Sequence, residues 1–260
     1  MTEREAPSEG RVSLSMHDAI ATLTLDRAAK LNALGPEMLA DLERHLAALD
    51  LDHDVRVVIV TGAGERAFCV GADVNAWSAL EPLDMWRRWI REGHRALRRL
   101  ANLRQPTIAA INGYAFGGGL ELALAADIRI AVETASFAMP ETTIGTLPGW
   151  AGTSRLPDAI GAARAKQMIF SGARIDAATA ERWGLVNEVA PGDGFQTRCR
   201  ELALEIAANA PVAVQLAKAA IDGEGSSLEA IAGALAAGTD DGREGIASFR
   251  EKRAPRFRGR

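Results

Sequence analysis

Cysteine is scarce in this chain, with only Cys69 and Cys199 among 260 residues. Two thiols do not make a disulfide framework for a chain this long, so a reducing, cytoplasmic setting is expected. Long apolar runs are missing too. The best candidates are broken by Asn112, Glu121 or Asp127, and none is long enough to span a bilayer. Nor does one sign of charge dominate. Lys and Arg number 30 against 34 Asp and Glu, for a net charge of -4. That balance excludes a general attraction to nucleic acid or to an anionic membrane. The N-terminal MTEREAPSEGR lacks the apolar stretch of a secretory signal and is too acidic for a transit peptide, so residues 1–10 are read as a tail. The four histidines, His17, His45, His53 and His94, show no ligand spacing with carboxylates or cysteines.

What remains is ordinary for a globular protein: 48% hydrophobic and 25% charged residues. The length suffices for one large core, or for a core with a small helical unit appended. Residues 11–26 alternate in strand fashion around His17-Asp18 and read as a hairpin. Residues 36–50 place Met38, Leu39, Leu42, Leu46 and Leu49 on one helical face, with Pro36 in the first turn. VRVVIVTG (55–62), TIAAING (107–113) and IRIAV (128–132) read as buried strands. Residues 84–104 read as one amphipathic helix with Trp86, Trp89, Ile90, Leu97 and Leu100 on a single side. A helix over 118–127, another at about 176–183 ending at Gly184, and a strand in LVNEV complete an alternation that predicts an α/β fold with parallel pairing. After PGDG (191–194) only helical signals occur: 197–209, 211–222, a segment opened by a Ser226/Glu229 capping box, and 240–251. A soft boundary near 195 therefore separates a core, 11–195, from a helical region, 196–260.

Three segments have the composition to hold chemistry. GAGERAFCVGADV (62–74) follows a strand and is rich in small residues that let backbone approach a ligand. Its Gly62–Ala67 also fits a dinucleotide fingerprint, but Phe68–Gly71 reads as extended where a helix should open, and the ribose-binding acid is missing. NGYAFGGGLELALAAD (112–127) runs three glycines into a helix start, where free N–H groups and the helix dipole favour negative charge. It has no Gly-Lys-Ser/Thr and is no P-loop. Glu121 sits in that first turn. A first-turn glutamate commonly just complements the dipole, but its neighbours Leu120, Leu122 and Leu124 predict partial desolvation. FAMPETTIGTLPGWAGTSRLP (137–157) reads as a long Gly/Pro-rich loop around one acid, Glu141, which in isolation would be a solvated loop residue. Together the segments supply two backbone-donor sites and two carboxylates, the parts needed to stabilise an oxyanion and move protons around it.

The same residues resemble the enoyl-CoA hydratase/isomerase (crotonase) family. The resemblance lies in LDRAAKLNAL (25–34), AFCVGADV (67–74), INGYAFGGGLELALAADIRIA (111–131) and PETTIGTLPGWAGTSRL (140–156), and continues through AERWGLVNEV (180–189) and EGIASFREKRAPRF (244–257). It implies an α/β fold built as a spiral of ββα units, with C-terminal helices that form a homotrimer or a dimer of trimers. It implies an oxyanion hole from the backbone N–H groups of Ala72 and Gly118. Glu121 and Glu141 fall on the two glutamates that the family's hydratases use as acid and base, which implies reversible hydration of a trans-2-enoyl-CoA to a 3-hydroxyacyl-CoA. An isomerase moving the double bond between C3 and C2, or a specialised acyl-CoA activity, is the alternative within the family; a non-catalytic CoA-binding subunit is disfavoured by the presence of both acids. No cofactor or metal is implied, because coenzyme A is part of the substrate.

For the coenzyme A portion, the resemblance points to backbone around Ala28 and Lys30 for the adenine end and to Ala72, Asp73, Val74 and Asn75 for the pantetheine path. Lys252 is either a phosphate contact, within its own or a neighbouring subunit, or part of a solvated basic tail. The chain departs from many members at three places. Position 28 is alanine rather than proline. Asn75 stands where lysine is frequent and removes a charge contact. Trp150 follows Gly149 where small residues are common, and is expected to reshape the acyl pocket. Trp77, Trp86 and Trp89 lie in the segment that the family varies to suit its substrate, and they are either part of that adaptation or, the slightly preferred reading, ordinary core or interface aromatics.

Overall fold

The structure, a computed structural model, describes residues 10–223 and 226–260. The expected N-terminal tail, apart from Gly10, and the side chain of Ser226 in the expected capping box lie outside the described residues. The chain opens with an antiparallel hairpin of β1 (Arg11–His17) and β2 (Ile20–Asp26). Its two-residue turn, Asp18-Ala19, takes the positive φ values (52° and 61°) that match the twist of the flanking strands. Helix α1 (Pro36–Leu51) starts on proline and buries the five apolar residues whose spacing predicted it. Buried β3 (Val57–Gly62) and short β4 (Ala67–Cys69) follow. After them come α2 (Val74–Trp77), α3 (Pro82–Asp84), a π turn over Met85–Ile90, and α4 (Arg91–Ala101).

Next are β5 (Thr107–Ile111), β6 (Tyr114–Phe116) and α5 (Gly118–Leu124). Then come β7 (Ile128–Val132), β8 (Ser136–Ala138), a 3-10 turn at Glu141–Ile144, α6 (Gly152–Ile160) and α7 (Ala162–Ser171). A two-residue β9 (Ile175–Asp176), α8 (Ala177–Trp183), capped by the Asp176 side chain, and β10 (Glu188–Ala190) close the sheets. The C-terminal helices are α9 (Phe195–Ala207), α10 (Pro211–Asp222), α11 (Ser226–Gly238) and α12 (Asp240–Glu251).

Strands alternate between two sheets. The larger has the order β1-β2-β3-β5-β7-β10 and the smaller β4-β6-β8-β9; only β1–β2 and β8–β9 are antiparallel. Each of the pairs β3–β4, β5–β6 and β7–β8 gives one strand to each sheet before the chain turns into a helix. That is the ββα spiral expected from the resemblance, and the fold is α/β with two mixed sheets. Its consequence for function is positional. The loop after β4 and the start of α5 after β6 lie side by side, because β4 and β6 are neighbours in the small sheet.

Three features differ from the sequence reading. The 84–104 segment is not one helix: the π turn at Met85–Ile90 shifts the phase, so Trp89 is buried while Trp86 is left exposed. The 137–157 stretch is only partly loop, since β8 begins it and α6 takes its last third. The three-residue strands β6 and β8 were invisible to periodicity. Helix α9, which opens the expected C-terminal region, buries Phe195, Cys199, Ala203 and Ala207 and packs on the large sheet. Beyond it Ile221, Ile231, Leu235, Ile246 and Phe249 are exposed. No single helix among the described residues is long and apolar enough to cross a membrane.

Asn32 ties the first loop to the second. It is fully buried at φ 58°, and its side chain accepts from the Arg27 N–H and donates to the Ala63 and Ala67 carbonyls. Asn32→Ala strips three partners and puts a less tolerant residue in the left-handed region. A loss of about 2–4 kcal/mol is expected in chemical denaturation.

Candidate active site

Glu121 is the deepest polar group of the site. It lies in the first turn of α5, whose seven residues are all buried, and is itself 2% exposed. Its Oε1 accepts the N–H of Trp150 and the N–H of Gly152, each at 2.7 Å. Gly152 is the first residue of α6, so the carboxylate uses one of that helix's otherwise unpaired donors. The fit is tight: a Cβ on Gly152 would stand 2.9 Å from Glu121 Oε1. Burial raises the Glu121 pKa to about 7; the two N–H bonds oppose the rise, and the nearby Glu141 charge adds to it.

Glu141 opens the 3-10 turn after β8, and burial raises its pKa as well. Its Oε2 is buried with no hydrogen-bond partner among the described residues. Its Oε1 lies over Gly117, at φ 51°, where a Cβ would come within 2.9 Å of it. Only glycine meets both demands at this corner.

Between the acids lies a pair of unused donors. Gly71 takes φ 100°, and a Cβ there would meet the Phe116 carbonyl at 3.0 Å and the Gly118 nitrogen at 3.1 Å. That close approach sets Ala72 beside the start of α5, with its nitrogen 3.4 Å from where a Gly118 Cβ would stand. Leu34 donates to the Gly71 carbonyl and Asp73 donates to the Leu34 carbonyl, which leaves the Ala72 N–H turned the other way. Neither the Ala72 nor the Gly118 N–H meets an acceptor among the described residues. Two convergent N–H groups at a buried helix start can hold a developing oxyanion, each at about 3 kcal/mol in the transition state.

These parts line one cavity of about 180 Å³, with Ala72, Val74, Gly118, Glu121, Glu141, Gly149 and Trp150 in its wall. Five other residues named from the sequence lie outside its wall. Ala28 and Lys30 form an exposed 3-10 turn. The Asp73 side chain is held by Arg27 at 2.7 Å and caps α2 through the Asn75 N–H; Asn75 is exposed. Lys252 is exposed at the end of α12. Gly62–Ala67, which matched a dinucleotide fingerprint, runs from β3 into β4 and opens no helix.

The sequence reading missed Val70, Met85, Ile90, Ile144 and Leu147 of the apolar wall, and preferred a core or interface place for its Trp77 and Trp89. Trp77, on α2, lines the cavity, in line with the substrate-related alternative; Trp89 is both core and wall. Trp150 is 2% exposed, and its indole fits between two glycines. A Cβ on Gly93 would stand 2.1 Å from the ring, and one on Gly118 would stand 2.6 Å from it.

The model of the enoyl-CoA hydratase/isomerase family matches residues 15–260. The (E)-benzylidenesuccinyl-CoA hydratase of Thauera aromatica is 40% identical over 95% of this chain and 99% of its own. The short-chain-enoyl-CoA hydratase of Clostridium acetobutylicum is 37% identical over 93% of this chain and 95% of its own. A crystal structure of an enoyl-CoA hydratase from Bacillus anthracis superposes with a TM-score of 0.92 at 39% identity, covering 96% of this chain and all of the other.

Two outcomes test the site's physics. A carboxyl whose folded pKa is raised contributes stability below its unfolded pKa and loses it as pH rises through the folded value. For Glu121 that window runs from 4.5 to about 7. The Glu121→Gln variant keeps an acceptor for Trp150 and Gly152 but carries no charge. Its stability relative to the parent should therefore rise across this window, by about 3 kcal/mol at most, and level off above it. Denaturation midpoints of both proteins between pH 4 and 8.5 check the sign. Gly93→Ala should cost about 1–3 kcal/mol by overpacking against Trp150, read as a drop in melting temperature together with a shifted tryptophan fluorescence maximum.

Proposed function

The chain belongs to the enoyl-CoA hydratase/isomerase (crotonase) family, and on that premise we propose that it hydrates trans-2-enoyl-CoA thioesters to 3-hydroxyacyl-CoA, reversibly. The carrying observation is the pairing of two pKa-raised carboxyls, buried Glu121 and half-buried Glu141, in one cavity with the free N–H groups of Ala72 and Gly118. The thioester carbonyl takes both N–H bonds. A water between the carboxyls loses a proton to Glu121 as its oxygen attacks C3. The alkene electrons move onto the carbonyl oxygen, giving an enolate held by the two N–H groups. Glu141 then gives its proton to C2, and the enolate collapses to the thioester.

The mechanism needs one carboxyl ionised and the other protonated, a state that proximity and burial both favour. The two titrate as a pair, so the assignment of the single proton is one choice of microstate. Two relatives of about 40% identity named as hydratases support hydration over isomerisation. An isomerase can run on the glutamate at the position of Glu141 alone, and here both acids are present.

Coenzyme A would lie along the loop from Ala72, its adenine end toward Ala28 and Lys30 on the exposed 3-10 turn. The exposed apolar residues of α10 to α12 support assembly into a homotrimer or a dimer of trimers. Two free, buried cysteines are in keeping with the cytoplasm.

Loss of the conjugated thioester absorbance of crotonyl-CoA tests the reading. The parent should turn it over, and Glu121→Gln and Glu141→Gln should each lower kcat by about 10²–10⁴-fold. Retention of hydration by either variant would remove that residue from the mechanism. Isomerisation of 3-enoyl-CoA that depends on Glu141 alone would replace the hydratase reading.

A further inference from the structure

Hydration chemistry leaves the acyl group unspecified, and the cavity walls carry information about it. From them we infer that the pocket is built for a 2-enoyl thioester bearing a single aromatic ring at C3. This inference rests on the hydratase reading and goes further by naming the substrate class.

The floor of the cavity is a pair of indoles. Trp89 and Trp150 are 4% and 2% exposed, with ring centroids 5.6 Å apart and planes tilted by 47°. The slot between Gly93 and Gly118 holds Trp150 by its edges, so it cannot swing aside to admit a long chain. Half-buried Trp77 and Met85 form part of the side wall. Among the described residues, the charged groups in the lining are the two reacting glutamates.

Size and chemistry then agree. The cavity measures about 180 Å³ and must also hold the reacting carbons between Glu121 and Glu141, so beyond them it has room for one compact group and not for a long chain. A fixed floor stops a long saturated tail, which would also lose rotational freedom at every methylene on entry. A ring conjugated to the enoyl group is already planar and rigid, so it loses little. It offers edges and faces to three indoles, and Met85 supplies a polarisable sulfur beside them. A pocket meant for a short alkyl group would need neither three tryptophans nor a closed aromatic floor.

The test runs in the dehydration direction, in which water leaves from C2–H and C3–OH and the aryl-conjugated product is the favoured one. Three probes are used with the parent protein: 3-hydroxy-3-phenylpropanoyl-CoA, 3-hydroxybutanoyl-CoA and 3-hydroxydecanoyl-CoA. The aryl thioester should exceed the ten-carbon one at least tenfold in kcat/KM. In Trp77→Ala, whose half-buried site tolerates truncation, the aryl-to-butanoyl ratio should fall at least tenfold. A ten-carbon substrate equal to or better than the aryl one overturns the inference, as does an unchanged ratio in Trp77→Ala. Turnover of the butanoyl thioester with none of the aryl one refutes the aromatic pocket and leaves the hydratase reading standing. Turnover of none of the three refutes both.

Discussion

Glu121 Oε1 accepts two backbone N–H bonds, from Trp150 and Gly152, inside a helix start that is closed to water. A carboxyl in such a place is costly to ionise, and the two donors offset only part of the cost. The result is a group poised near neutrality rather than a permanent anion. The same two bonds fix where α6 begins, since its first residue is one of the donors. They also fix Trp150, whose backbone N–H is committed to Glu121 while its ring fills the gap between α4 and α5. Acid, loop and pocket floor are therefore one mechanical unit.

Glycine makes the rest of the unit possible, for two separate reasons. At Gly71 and Gly117 the backbone needs positive φ, and in both places a neighbour also stands where a Cβ would go. At Gly93 and Gly118 only space is at issue, and the space is taken by an indole. The free N–H groups of Ala72 and Gly118 arise from this packing. Adjacent strands β4 and β6 bring two loops together, and the small residues let them touch closely enough for two N–H groups to converge. Little induced reorganisation is then needed when charge develops on a thioester oxygen.

How much of this could be read from the sequence varied with the length scale of the signal. Elements with many residues in register, such as α1, β3 and β5, were legible because periodicity accumulates along them. Three-residue strands of the small sheet carry no period, and the π turn at Met85–Ile90 breaks the period that the sequence displays, which is why Trp86 was placed on the wrong face. The apolar setting of Glu121 was legible from its neighbours. Its hydrogen-bond donors were not, because they come from positions 29 and 31 residues further along the chain. The likeness to a family pointed to Glu141, Ala72 and Gly118, and the structure brings them to one cavity. Asp73 shows the opposite case: a residue beside the site whose side chain is occupied in holding Arg27.

Two carboxyls, buried Glu121 and half-buried Glu141, share one cavity, and the charge of Glu141 bears on the proton of Glu121. Carboxyl-carbon NMR of protein labelled with ¹³C-glutamate, titrated from pH 3 to 9, addresses it directly. The account predicts that the Glu121 resonance titrates near 7, well above the usual glutamate value of about 4.3, and that Glu141→Gln lowers that midpoint by removing a like charge. A Glu121 resonance that titrates in the ordinary range and ignores the substitution would contradict it.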